Sequence, residues 1–184
     1  VVALREAPNG KTLASASRDR LVRLWRPRTM AAQGNALRGH TDTVYDVCFS
    51  PDGRLLASAS GDGSVRLWQI AALPRAAGAL LGHQHWVLSC AFDPRSDTIV
   101  SGGSDSTIRF WSSKTARSAA LPLFGHSDWV YALAYSPRGD WIASASGDKT
   151  VRLWGTGQRS IQEEIDALTN LHVTADGKTS VRSD

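Results

Sequence analysis

Cysteine is scarce in this sequence of 184 residues; Cys48 and Cys90 are its two examples. Neither their number nor their spacing supports a disulfide framework or a zinc site. Both fall in strongly apolar stretches, where a free cysteine acts as a small buried hydrophobe. A reducing compartment fits that usage, and a cytoplasmic location is the expectation. Long apolar runs are also missing: none approaches the ~20 residues of a membrane span, so no membrane association is expected. The sequence opens without an initiator Met, and no signal-peptide pattern is read within it. The chain starts in mid-pattern and is expected to be part of something longer. Runs of like charge are absent too. Net charge is +4 and the pI is about 9.4, but the basic residues are scattered, so no nucleic-acid stripe is indicated. The charge reads as solubility. Helix-period segments are missing, apart from IQEEIDAL near the end as a candidate.

What is present is a repeat. Trp25, Trp68, Trp111 and Trp154 stand 43 residues apart, as do Gly39-His40, Gly82-His83 and Gly125-His126. Three full copies align without a gap: GHTDTVYDVCFSPDGRLLASASGDGSVRLW, GHQHWVLSCAFDPRSDTIVSGGSDSTIRFW and GHSDWVYALAYSPRGDWIASASGDKTVRLW. The first copy lacks Gly-His but keeps register, with Val1 matching Val44 and Pro8 matching Pro51. After Trp154 the pattern decays, although LTNLHVTADGKTSVRSD retains a strand and a turn. The division is a clipped repeat over 1–38, full repeats over 39–81, 82–124 and 125–160, and a degenerate fifth over 161–184, all in one domain.

Each repeat reads as β. VYDVCFS, WVLSCAF and WVYALAY are rich in β-branched and aromatic residues and run into turns such as PDGR and PRGD. A second strand (LLASAS, TIVSGG, WIASAS), a Gly/Asp turn and a third strand (SVRLW, TIRFW, TVRLW) follow. A weaker fourth strand, AAGALL or SAALPLF, leads to the next Gly-His, and Pro122 within it suits an edge. Four short strands per unit is the signature of a β-propeller blade. The fold class predicted is all-β, about four blades of four antiparallel strands plus a partial fifth, left as an open arc.

On its Gly-His, its Ser-x-x-x-Asp and the Trp six residues beyond that Asp, the sequence resembles the WD-repeat β-propeller family over residues 1–154. One departure is plain: the Asp that usually follows the Trp is replaced by Arg26, Gln69, Ser112 and Gly155. The resemblance implies a buried hydrogen-bonded set in each blade: His40, Ser58, Asp62 and Trp68; His83, Ser101, Asp105 and Trp111; His126, Ser144, Asp148 and Trp154; and in the first copy Ser15, Asp19 and Trp25. A serine, a histidine and an aspartate are also the parts of a nucleophilic hydrolase. An enzyme needs one activated nucleophile rather than the same set in every repeat, so the set reads as a structural staple, with no catalytic residue.

Two further candidates are weaker. His83, His85 and Cys90 are too few for zinc once His83 is committed to its blade, so no metal and no cofactor are expected. Arg23, Arg66, Arg109 and Arg152 share a strand face with the Trp and read as stems packed along the blade, with guanidinium groups reaching water or an acidic neighbour.

Positions that vary between repeats are more informative, because the scaffold does not dictate them. Thr43, Trp86 and Trp129 precede the innermost strands, and Tyr45, Leu88 and Tyr131 follow two residues later. In the family these positions line the channel rim on the face that commonly receives partners. Arg18, Gly61, Ser104 and Gly147 open on the same face. Tyr45, Trp86, Leu88, Trp129, Tyr131 and Arg18 are the candidate partner-binding residues, since large aromatics make interaction anchors. The function expected is a non-catalytic scaffold for a protein or peptide, with self-association through open terminal blades as a further expectation. The alternatives are a regulatory or sensor module of a larger multidomain signalling protein and, with least support, a hydrolase. Arg5 and Glu6 stand where Cys48 and Phe49 sit one repeat later, and are expected to soften the first open face.

Overall fold

The computed structural model describes residues 1–70 and 74–156, together with the backbone of two short strands beyond them. IQEEIDAL lies outside the described residues. Four antiparallel meanders follow one another along the chain. The first holds β1 (Ala3–Glu6), β2 (Leu13–Ala16), β3 (Val22–Arg26) and β4 (Ala31–Ala32). The second holds β5 (Val44–Phe49), β6 (Leu55–Ser60), β7 (Ser64–Gln69) and β8 (Arg75–Leu81). The third holds β9 (Val87–Phe92), β10 (Thr98–Gly103), β11 (Ile108–Ser112) and β12 (Arg117–Ser118). The fourth holds β13 (Val130–Tyr135), β14 (Trp141–Ser146) and β15 (Val151–Gly155). A separate hairpin pairs β16 (Leu171–Val173) with β17 (Thr179–Val181).

The turns explain the meander. Gly10, Gly53 and Gly139 close the first hairpin of their sheets with φ near +66°, +68° and +69°, a conformation that a Cβ disfavours. The outer strand is the weak one. SAALPLF is not a continuous strand: β12 is only Arg117–Ser118, and pairing resumes at a single bridge between Ile108 and Leu123. Pro122 lies in the gap, where its missing N–H costs no ladder bond.

Each sheet has two apolar faces, and the cores lie between sheets. Ala14, Ala16, Val22 and Leu24 pack on Val44, Val47, Leu56 and Trp68 of the second sheet. Ala57, Ala59, Val65 and Leu67 pack on Cys90, Phe92, Ile99 and Trp111 of the third. Val100 and Ile108 pack on Val130, Ile142 and Trp154 of the fourth. Alternation along every strand feeds one face forward and one backward, which is how a stack of sheets buries itself. The inner strands β1, β5, β9 and β13 contact their neighbours in that order.

The stack does not close, and the described residues form an open arc of propeller blades. At the last sheet the forward-facing Val151 and Leu153 are 71% and 46% exposed, whereas their counterparts Val65 and Leu67 are buried. At the first, Val1 and Leu4 are exposed, and Glu6 with them. Arg5 departs from expectation: it turns forward to Asp46 of β5 (Nη2–Oδ1 3.3 Å) rather than covering the open face. Its register position matches Cys48, which faces the next sheet, so alternation sends Arg5 the same way.

Candidate functional site

The repeated polar set forms one geometry three times. His40 Nδ1 lies 2.8 Å from Asp62 Oδ2 and Nε2 lies 2.7 Å from Ser58 Oγ, while Trp68 Nε1 donates to the same Oγ at 2.8 Å. The third sheet repeats this with His83, Asp105, Ser101 and Trp111 at 2.8, 2.7 and 2.7 Å. The fourth repeats it with His126, Asp148, Ser144 and Trp154 at 2.7, 2.7 and 2.8 Å. With the aspartate ionised, Nδ1–H donates to it. Nε2 is then the acceptor for the serine hydroxyl, and that oxygen receives the indole N–H. Each side-chain link of this Trp–Ser–His–Asp set is bonded to the next, as burial requires.

The aspartate is held by more than the histidine. Ser64 Oγ donates to Asp62 Oδ1 at 2.6 Å, and the Thr41 N–H reaches Oδ2 at 3.0 Å. Thr107 and Thr150 take the place of Ser64 in the next two sheets. Burial alone raises the Asp62 carboxyl, but the bonds from His40, Ser64 and the Thr41 N–H outweigh it and hold the group well below the usual carboxylate range. Asp105 is depressed by the same balance, with His83 and Thr107 as partners. At Asp148 the Thr150 hydroxyl is the largest cause of the same lowering. A hydroxyl two residues after the Asp was visible in every full repeat, and only its role was missed.

The first sheet differs. Trp25 donates to Ser15 Oγ at 2.9 Å, and the position matching His40 falls before residue 1. Asp19 instead pairs with Arg23 at 2.7 Å and is separate from the Trp–Ser contact. The Gly of Gly-His also has a cause. A Cβ on Gly82 would sit 2.9 Å from the Trp111 ring, and one on Gly39 would sit 3.0 Å from the Arg66 guanidinium. The arginines therefore lie packed beside Gly-His, with Nε of Arg66, Arg109 and Arg152 buried and without a hydrogen-bond partner. Arg109 Nε stands 3.9 Å from Asp105, at the limit of an ion pair.

The rim residues are placed by a device that the sequence does not display. Val44 pairs with Ser60 and Asp46 with Ala59, so Tyr45 is an extra residue, a β-bulge. Tyr131 is the extra residue between Val130 and Ala132, and Leu88 the one between Val87 and Ser89. A bulge re-aims its side chain out of the regular alternation. The residue before each strand is tied down from the neighbouring turn. Gly61 N–H donates to Thr43 O, Ser104 N–H to Trp86 O and Gly147 N–H to Trp129 O, each at 2.9 Å.

The result is a continuous aromatic row across three sheets. Ring centroids are 6.1 Å apart for Tyr45–Trp86, 5.6 Å for Trp86–Trp129 and 6.0 Å for Trp129–Tyr131. Trp86, Trp129 and Tyr131 remain 42%, 38% and 52% exposed. His85, Trp86, Ser104 and Trp129 border an open cleft of about 430 Å³. Leu88 is half-buried beside the row, and Arg18 is exposed on the first sheet's turn, outside the row of rings. His83 is bound to Asp105 and Ser101 while His85 faces the cleft; among the described residues no cluster of three or more His, Cys, Asp or Glu could hold a metal. No helix among them is long and apolar enough to cross a membrane.

No curated protein matches the chain. The family described as WD domain, G-beta repeat matches it over residues 1–26, 32–69, 76–112 and 119–155. Matched units such as 76–112 begin within the outer strand of one sheet and end in the third strand of the next, so each unit joins two blades. With four matched repeats and four successive antiparallel sheets, the chain belongs to the WD-repeat family, whose members generally serve as scaffolds for protein interactions.

Proposed function

We propose that this chain is a non-catalytic interaction scaffold that receives a protein or peptide on the row Tyr45–Trp86–Trp129–Tyr131. The observation that carries the reading is the exposure of these rings despite their mutual contact. Three large aromatics remain more than a third exposed beside an open cleft, in a fold that buries Trp68, Trp111 and Trp154. Large rigid rings give wide contact area at low entropic cost, and Trp and Tyr dominate binding hot spots. The Ser-His-Asp sets fit the same reading: Ser58, Ser101 and Ser144 are buried and each hydroxyl oxygen already accepts an indole N–H. The open faces of the first and fourth sheets offer a second surface, for another copy of the chain.

The test is Trp129→Ala, read in two assays on a partner recovered with the wild-type chain. Loss of a central anchor is expected to weaken binding by about 2 kcal/mol or more, roughly thirtyfold. Stability should stay within about 1–2 kcal/mol of wild type. A core-like loss of ~3–5 kcal/mol in the unfolding curve would show that the ring seals the gap between sheets instead. Unchanged affinity would move the binding surface elsewhere.

A further inference from the structure

Cys48 and Cys90 lie on the neighbouring inner strands β5 and β9, and their Sγ atoms are 3.2 Å apart. We propose that they are a redox pair, closed by a hydroperoxide to a disulfide that joins the second and third blades. This inference is independent of what the aromatic row binds.

The approach is specific to one interface. The cysteines are 42 residues apart, one short of the repeat, so they occupy different register positions. The same two positions hold Arg5 and Val47 between the first and second sheets, and Ala91 and Leu133 between the third and fourth. The scaffold therefore does not require thiols here. Independent polar contacts set the strands' relative height. Asp46 on β5 accepts from the Ser89 hydroxyl at 3.1 Å and from the Cys90 N–H at 3.2 Å. Arg5 braces the same carboxylate from the first sheet. Cysteines on two strands pinned in this way need to close only about 1 Å to reach the ~2.05 Å of a disulfide.

Exposure assigns the order of events. Cys48 is half-buried while Cys90 is buried. The hydrogen bond from Cys48 and burial both push the Cys90 thiol above its ordinary range, so Cys48 meets the oxidant first. The Cys48 thiolate attacks one oxygen of hydrogen peroxide. The O–O bond breaks, and the leaving hydroxide takes up a proton as water, giving a sulfenic acid. Cys90 sulfur then displaces hydroxide from the Cys48 sulfur. The S–O bond breaks, the S–S bond forms, and the Cys90 proton leaves with that hydroxide as a second water. Two thiols and one peroxide give one disulfide and two waters. The bond would form on the same strands as the bulges at Tyr45 and Leu88, fixing the two blades that carry Tyr45 and Trp86.

The chain treated with hydrogen peroxide, native and in urea, tests this. The native chain is expected to lose two hydrogens in mass and to stay a single chain on a non-reducing gel. Peptide mapping should join the Cys48 and Cys90 segments. Closure should run at least about tenfold faster than in urea, because the fold supplies the proximity. In Cys90→Ala, dimedone should capture Cys48 as the sulfenic acid; in Cys48→Ala, Cys90 should remain a thiol. Equal rates in the folded and unfolded chain, an intermolecular disulfide, or Cys48 sulfinic acid beside an intact Cys90 thiol would each overturn the proposal. The native-against-urea comparison uses wild type alone and decides the matter even if a variant fails to fold.

Discussion

A serine hydroxyl that donates to a histidine has the outward form of a nucleophile, and the indole separates that form from its use. Ser58 Oγ accepts from Trp68 and donates to His40, while burial removes it from any substrate. Its lone pair stabilises the fold instead of attacking a carbonyl. Trp68→Phe keeps most of the apolar area and removes the indole donor, leaving part of a buried chain unsatisfied. The expected cost is about 1–3 kcal/mol. Trp25 is an internal control: it is half-buried, and among the described residues Ser15 passes its bond to no histidine. Trp25→Phe should therefore cost less, under about 1 kcal/mol. Urea unfolding of both variants decides; equal losses would mean that ring packing alone matters and the hydrogen-bonded chain contributes nothing beyond it.

At the scale of the element, the row of rings depends on what stands opposite each bulge. Gly61 faces Asp42 and Tyr45, and Gly147 faces Asp128 and Tyr131. In the third sheet Ser104 stands at that turn, where His85 and Leu88 replace the Asp and the Tyr. A Cβ at Gly147 would fall 2.7 Å from Asp128 Oδ2 and 3.3 Å from Tyr131 Cε2. Asp128 Oδ1 also accepts from the Trp129 N–H, so displacing Asp128 disturbs Trp129 as well. Gly147→Ala is expected to alter the near-ultraviolet circular dichroism of the rings. Adding Tyr131→Leu should recover part of any stability lost, as coupled neighbours do. Strict additivity in that cycle would deny the contact. The strands, turns and repeated polar sets were legible because each recurs at a fixed spacing, which is itself the signal. The bulges were not, because Tyr45 and Tyr131 become extra residues only when their strand is paired with a partner. The thiol pair was illegible for a related reason: Cys48 and Cys90 occupy unlike positions in different repeats, and only the stagger between sheets brings them together. Asp19 went the other way: its spacing matched the pattern, but the position matching His40 falls before residue 1, and Asp19 pairs with Arg23.

For the whole molecule, the consequence of repetition is that each sheet is made to fit the next. The forward face carrying Val22 and Leu24 fits the second sheet, and its equivalent in the fourth sheet, Val151 and Leu153, faces solvent. The backward face of the first sheet exposes Leu4 in turn. Joining those two faces between copies would repeat an interface that the chain already makes three times internally. Such head-to-tail contact either closes a ring or continues as a filament. Two copies of the four described blades reach eight, within the roughly four to eight of known propellers, so closure at the dimer is geometrically open to the described residues. Exposed apolar faces of this kind also need covering for solubility, which terminal repeats ordinarily achieve with polar residues. The expected behaviour in sedimentation velocity is association that grows with concentration. Val151→Lys with Leu153→Glu should abolish it by placing charges in an interface that cannot hydrate them, each costing on the order of 1 kcal/mol or more. Both positions are exposed within the single chain, so unfolding at high dilution should shift by under about 1 kcal/mol. A chain that stays monomeric at all concentrations, or a variant that associates as wild type does, would show that this face is not where copies meet.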